Sequence, residues 1–271
     1  MQYLISVLCI LCFAAAIILA VSIYTARTLK VSHIRRSDRY TVKALHISDL
    51  HINLTQISAK KLQNKVLIIS PDVIFITGDL AQHAKNLPRA VKYLKTVCGS
   101  IPTYICLGNH EYKAFKEVPG GVDVCVRQLA EAGFFCVRNG CFECKVRDVQ
   151  FNVVMLDDKR CGKPDTEAAF ANAIPGKGTV ALCHHPDTAL EILFKKPDLI
   201  LCGHFHGGQV HMPFGVEYRH FKSRKMLDMG HAQGLMIHEN ISVYISRGVG
   251  NVIVPFRLGS FPEIAVFYLN F

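Results

Sequence analysis

Asp49-Leu50-His51, Gly78-Asp79, Gly108-Asn109-His110, His184 and Gly203-His204-Phe205-His206 bring carboxylates, imidazoles and one amide oxygen together, each just after an apolar run. Donors of this kind suit Mn²⁺, Fe or Zn²⁺ far better than an ion that prefers thiolates. There are enough of them for two divalent ions, and two adjacent ions are the machinery of phosphate-ester hydrolysis. Taken alone, a Gly-Asp after a strand reads as a turn, and a single buried histidine reads as a core hydrogen bonder. Five such elements in order, three led by a glycine that permits a tight turn, carry the metal reading.

These residues need a scaffold that ends several strands at one place. From Tyr40 onward, short β-branched runs alternate with helical periodicity, which predicts βαβ units around a largely parallel sheet. Val42–Ile47, Val73–Thr77, Thr103–Leu107 and Phe134–Val137 read as strands. Ile57, Leu62, Val66 and Ile69, then Val91, Leu94 and Cys98, then Val122, Val126 and Leu129 mark one face each of three helices. Phe151–Leu156, Thr179–Cys183, Leu199–Cys202, Val243–Ser246 and Ile264–Leu269 add too many strands for one narrow sheet. The expected fold is therefore α/β with two packed mixed sheets flanked by helices, a four-layer α/β/β/α sandwich. In open α/β sheets ligands collect beyond the carboxyl ends of strands, so Asp49, Asp79, Asn109, His184 and His206 are expected to converge there.

The chain has 271 residues, half of them apolar, enough for one substantial catalytic domain. Residues 1–26 carry no charged side chain, and Leu4–Tyr24 is a nearly unbroken apolar run long enough to cross a bilayer. A cleaved secretory signal would need a charged leading region, which is missing, so an uncleaved N-terminal transmembrane anchor is expected. Arg27, Lys30, Arg35, Arg36, Arg39 and Lys43 crowd its C-terminal flank. The positive-inside rule then places a single-pass protein in the cell membrane with its catalytic domain, residues 41–271, facing the cytoplasm behind a basic juxtamembrane linker, residues 27–40. That linker should also attract anionic membrane lipids. The formal charge of +10 raises nucleic acid as a partner, but no nucleic-acid module or aromatic stacking platform accompanies it, and none is expected to bind. Of the 11 cysteines, two lie in the anchor and nine scatter through expected core strands, which argues for reduced thiols. Cys141-Phe142-Glu143-Cys144 has CxxC spacing, but it follows Asn139-Gly140, expected as a type I′ turn, and alternates like a hairpin strand.

In this order, DxH, GD, GNH, a lone His and GHxH resemble the calcineurin-like metallophosphoesterase superfamily across Asp49–His206. The resemblance implies that Asp49, His51 and His206 hold one metal, that Asn109, His184 and His204 hold the other, and that Asp79 bridges both. It implies hydrolysis by a hydroxide bridging the metals, with His110 facing the substrate as hydrogen bonder or acid. His185 competes with His184 as the ligand; Pro186, which stands where members of the superfamily also have one, favours His184. Glu111 gives the GNHE seen in protein Ser/Thr phosphatases, yet Leu80–Ala84 lacks the arginine with which those enzymes clamp phosphate.

An N-terminal helix, GHxHGGQ at Gly203–Gln209 and Ser246–Gly250 look instead like the bacterial membrane-anchored branch. Some of its members are phosphodiesterases, and others hydrolyse the pyrophosphate of UDP-2,3-diacylglucosamine in lipid A synthesis. An amphiphilic phosphate substrate is expected on that basis. Arg247 and Arg219 are the candidate substrate contacts, and His211–Met236, with Met212, Phe214, Phe221, Met226, Leu227, Met229, Lys222, Arg224 and Lys225, is a candidate acyl-chain entrance. The alternatives are a phosphodiesterase of soluble substrates and, in another class, an inactive membrane-anchored scaffold.

Overall fold

The computed structural model describes residues 1–35, 39–219, 221 and 224–271; Arg36 and Lys222 of the basic clusters lie outside the described residues. In chain order the elements are α1 (Gln2–Arg27), β1 (Lys30–Arg35), β2 (Val42–Ser48), α2 (Ala59–Ile69), β3 (Val73–Thr77), α3 (Leu87–Cys98), β4 (Thr103–Cys106), α4 (Asn109–Ala114), α5 (Val122–Glu131) and β5 (Phe135–Cys136). There follow β6 (Gly140–Val146), β7 (Val149–Met155), α6 (Thr166–Phe170), β8 (Thr179–Leu182), α7 (Pro186–Ile192), β9 (Leu199–Cys202), α8 (Lys225–Asp228), β10 (Gly234–His238), β11 (Ile241–Ile245) and β12 (Glu263–Leu269).

The strands form two mixed sheets of six, ordered β1-β12-β2-β3-β4-β5 and β10-β11-β9-β8-β7-β6. All five residues of β3 are buried, as both faces of a parallel strand covered by other layers require. One face packs on α2, α3 and α5 through Ile74, Ile76, Leu62, Leu94 and Leu129. The other meets the second sheet through Phe75, Phe151, Val153 and Leu201, and α7 covers the far side with Ala189 and Ile192. Each large side chain so buried contributes about 1.5–3 kcal/mol. The four expected layers are all present.

Two local features differ from the expectation. Lys30–Arg35, read as part of a linker, is an edge strand paired in parallel with Glu263–Tyr268; its alternation of charged and apolar residues suits an edge that is wet on one side. Asn139-Gly140 does not turn a hairpin, because only Asn139 takes a positive φ (47°) and Gly140 already begins β6. The tight turn lies at Arg147-Asp148, between paired Val146 and Val149, with Arg147 at φ 52°. Cys141 and Cys144 therefore fall on opposite faces of β6, and only Cys144 is fully buried.

Among the described residues α1 is the one helix long and apolar enough to cross a bilayer. Its last turn docks on the domain. Ser22, Thr25 and Ala26 are buried, Ser22 O accepts the Arg257 amide at 3.2 Å, and Lys61 Nζ donates to Arg27 O.

Candidate metal centre

The expected ligands stand in loops that leave β2, β3, β4, β8 and β9. Asp49, His51, Asp79, His204 and His206 all have left-handed backbones, with φ of 52°, 40°, 55°, 76° and 52°. Such a conformation costs a residue with a Cβ on the order of 1 kcal/mol or more and persists only where neighbours over-determine it. Here they do: Asp49 N donates to Gly78 O (3.1 Å), His51 N to Asp79 O (2.9 Å) and Gly203 N to His184 O (3.0 Å). Gly108 has no room for a side chain, since a Cβ there would run into the Asp79 carboxylate.

Two nests result. In one, His206 Nε2 lies 3.2 Å from His51 Nε2 and 3.3 Å from Asp49 Oδ1. In the other, His184 Nε2 lies 3.2 Å from both Asp79 Oδ2 and His204 Nδ1. Asp79 Oδ2 is also 3.6 Å from His51 Nε2 and so faces both nests. Asn109 Oδ1 is buried beside them without a hydrogen-bond partner. An orphaned buried amide oxygen is costly, and a cation would satisfy it, so the donor set fits a pair of divalent ions. His184 sends its other ring nitrogen 2.9 Å to Thr77 O, which leaves Nε2 free as a ligand. The His185 ring lies against His204, with centroids 4.5 Å apart, and takes the Asp187 amide at Nδ1; it does not face the carboxylates. His110 Nε2 stands 4.0 Å from Asp79, its side chain 22% exposed to the cleft.

Burial pushes His51 down to about 3 and holds His204 and His206 well below the ordinary imidazole range. These three are neutral at pH 7, as metal ligation requires. Burial also opposes charge on His184, but the adjoining Asp79 carboxylate overrides it and keeps that imidazole protonated well above its usual range. Reciprocally, burial alone would raise Asp79, and His184 draws it well below the carboxylate range. Burial lifts Asp49 to about 6. The pair of buried carboxylates thus demands positive charge at this point in the molecule.

Several positioning residues were not singled out as such from the sequence. Glu111 accepts four backbone N–H groups, from Asp79 (2.9 Å), Leu80 (2.6 Å), Ala81 (3.2 Å) and Gly108 (2.9 Å), tying the Gly-Asp loop to the Gly-Asn-His loop. Gln209, the end of GHxHGGQ, donates to Val252 O, Val254 O and Phe256 O and accepts from Val252 N, all within 3.1 Å. Fully buried Arg257 bonds Asn251, Gly248 O, Gly250 O and His206 O, behind the first nest. Glu111 and Gln209 were visible in the quoted motifs; Arg257 carried no local signal.

A cleft of about 600 Å³ opens over Asp79, Asn109, His110, His204 and His206. Lys113 and Arg160 line it, and Met212, Val216, Phe221, Ile253 and Phe256 make an apolar wall. Arg219 lines a separate depression with Phe214 and Arg224. Arg247 is committed to Glu263, with Nε 2.7 Å from Oε2. Burial would raise Glu263, but Arg247, with Ser32 and Tyr244, overcomes that and holds it below the ordinary glutamate range. Its stabilising contribution is therefore present above the unfolded carboxylate range and is lost as pH falls through the lowered folded value. Arg247→Ala should lower stability by about 3 kcal/mol by stranding a buried carboxylate, seen as a drop in Tm that shrinks in acid, with KM unchanged. A raised KM at unchanged Tm would return Arg247 to the substrate.

The calcineurin-like phosphoesterase pattern matches residues 42–208, and the chain belongs to that family. Similar proteins include the uncharacterized metallophosphoesterase YkoQ of Bacillus subtilis, 30% identical over 83% of each chain. The phosphodiesterase YaeI of Escherichia coli is 28% identical over 84% of this chain and 82% of its own. The UDP-2,3-diacylglucosamine pyrophosphatase LpxG of Chlamydia trachomatis is 25% identical over 77% of this chain and 78% of its own. The chain is thus a metal-dependent phosphoesterase by family, and its relatives include hydrolases of phosphate esters and anhydrides.

Proposed function

We propose that this protein hydrolyses a phosphodiester or pyrophosphate bond in a membrane-associated amphiphile, with UDP-2,3-diacylglucosamine the leading candidate. In this reading α1 anchors it and the catalytic unit faces the cytoplasm. The observation that carries the reading is the Asp79 carboxylate shared between two nests of buried ligands with the orphaned Asn109 oxygen beside them. Asp49, His51 and His206 would hold one ion, Asn109, His184 and His204 the other, and Asp79 both; Mn²⁺ is our choice, with Fe or Zn²⁺ as substitutes. Bound there, divalent ions would supply an acidified water nucleophile and Lewis-acid relief of phosphoryl charge. His110, open to the cleft, is placed to hydrogen-bond a phosphoryl oxygen or protonate the leaving oxygen.

The cleft supports an amphiphile because cationic and apolar side chains both line it. Lys113 and Arg160 suit a second anionic group, and the apolar wall suits a chain. Removing either cation should raise KM about tenfold, the worth of one hydrogen bond to a charged group, with little change in kcat. An unchanged KM in both variants would remove the second anionic group from the reading.

Phosphorus NMR of the purified protein with Mn²⁺ and UDP-2,3-diacylglucosamine, beside bis-p-nitrophenyl phosphate and an Asp79→Ala control, tests the proposal. UMP release absent from the control supports the lipid substrate. Cleavage of the diester alone favours a phosphodiesterase of soluble substrates. Inactivity on both favours the scaffold.

A further inference from the structure

Two side chains near the cleft are held outward against their own preferences, Ile253 on its apolar wall and Phe214 two residues beyond the wall residue Met212. Ile253 has φ 65° and Phe214 φ 61°, the left-handed region that a β-branched or bulky residue rarely adopts. They are nevertheless 82% and 94% exposed. Neither strain nor exposure gains anything in water. The Ile253 conformation is imposed: Gln209 clamps Val252, Val254 and Phe256 with four hydrogen bonds, leaving Ile253 at the crest of the loop. Met212 and Val216, 45% and 39% exposed, continue the rim from the segment that carries Phe214.

The rim is fixed relative to α1. One residue after Phe256, the Arg257 amide donates to Ser22 O, within the last turns of that helix. The loop bearing Ile253 therefore emerges beside the end of the apolar span. Arg27 and Lys30, both exposed at the same end, offer positive charge to anionic headgroups. An apolar crest, a fixed distance from the helix end and flanked by cations, matches the chemistry of the headgroup and acyl boundary.

We infer that Phe214, Ile253 and Met212 enter the lipid boundary of the bilayer that α1 spans, so that the apolar end of the cleft opens to lipid rather than to water. This rests on the membrane half of the proposed function and not on its chemistry. A substrate's chain then passes from bilayer to cleft without crossing water, while its anionic head meets Lys113 and Arg160, which line the same cleft.

The chain has no tryptophan, so Ile253→Trp, Phe214→Trp and, on edge strand β5 at the other end of the sheet from β1, Phe135→Trp each give a single reporter. The full chain is reconstituted in phosphatidylglycerol-containing liposomes with lipids brominated near the headgroup. Expected are flotation with the liposomes, blue-shifted emission and at least twofold quenching at positions 253 and 214, with position 135 unquenched. Flotation without quenching at 253 and 214 overturns the inference and leaves the anchor standing. Loss of flotation overturns both, and equal quenching at all three positions overturns the rim as a specific surface. Quenching in a protein that hydrolyses nothing would keep the rim while sinking the phosphoesterase reading. Blue-shifted, unquenched emission that depends on protein concentration would assign the rim to a second copy of the chain, against the inference.

Discussion

Asp79→Ala should reduce turnover of bis-p-nitrophenyl phosphate by about 10³-fold or more and strip the protein of metal. The carboxylate is the group that faces both nests, 3.2 Å from His184 and 3.6 Å from His51. If Asp79 bridges two ions as proposed, its loss removes several kcal/mol of electrophilic assistance, and each 1.36 kcal/mol is a factor of ten in rate. Its loss also leaves His184 without the partner that keeps it charged. Because Asp79 is a loop residue whose backbone is fixed by Glu111 and by His51, the fold should survive. Metal content by elemental analysis and far-UV circular dichroism separate the two effects. A variant that keeps both ions and a tenth of its activity would refute the bridging role.

Glu111→Gln, a change of one heavy atom, should strongly destabilise the protein. Both carboxylate oxygens accept two backbone N–H groups each. An amide nitrogen at either position points its own hydrogens at two donors and leaves those donors buried and unpaired, at about 1–3 kcal/mol apiece. At 2–4 °C per kcal/mol for a domain of this size, Tm should fall roughly 10 °C. Burial and the neighbouring Asp79 push Glu111 up to about 7, against the pull of the N–H groups, so its charge already comes at a cost that those bonds offset. Activity should drop by about 10–100-fold as the two ligand loops lose register. A Tm within a degree or two of the parent protein would show that the loops are held elsewhere.

The convergence of the ligands was legible because each follows an uninterrupted apolar run, and such runs end together when strands lie parallel. Val73–Thr77 and Leu199–Cys202 were placed to the residue for the same reason. Lys30–Arg35 was not, because an edge strand with one wet face mixes charges into its alternation and reads as a linker. Nor was the fate of Arg247, whose partner Glu263 lies 16 residues away and meets it only after β12 joins the sheet. Lys113 and Arg160 reach the cleft from α4 and from the loop after β7, and no local spacing connects them. What depends on pattern within an element, or on parallel strands ending together, was readable; which partner a side chain meets across two loops was not.

The docking of α1 gives this apolar helix a second role in the protein. Ser22, Thr25 and Ala26 are covered by the domain, and Ser22 O receives the amide of Arg257, whose guanidinium reaches the carbonyl of His206. One residue thus joins the helix to the loop that carries the candidate ligand His206. Cutting the chain after Arg27 would do more than remove an apolar helix. It would uncover the surface beneath that last turn and leave the Arg257 amide without its acceptor, in the same residue whose side chain braces His206. The apolar helix is also a strut.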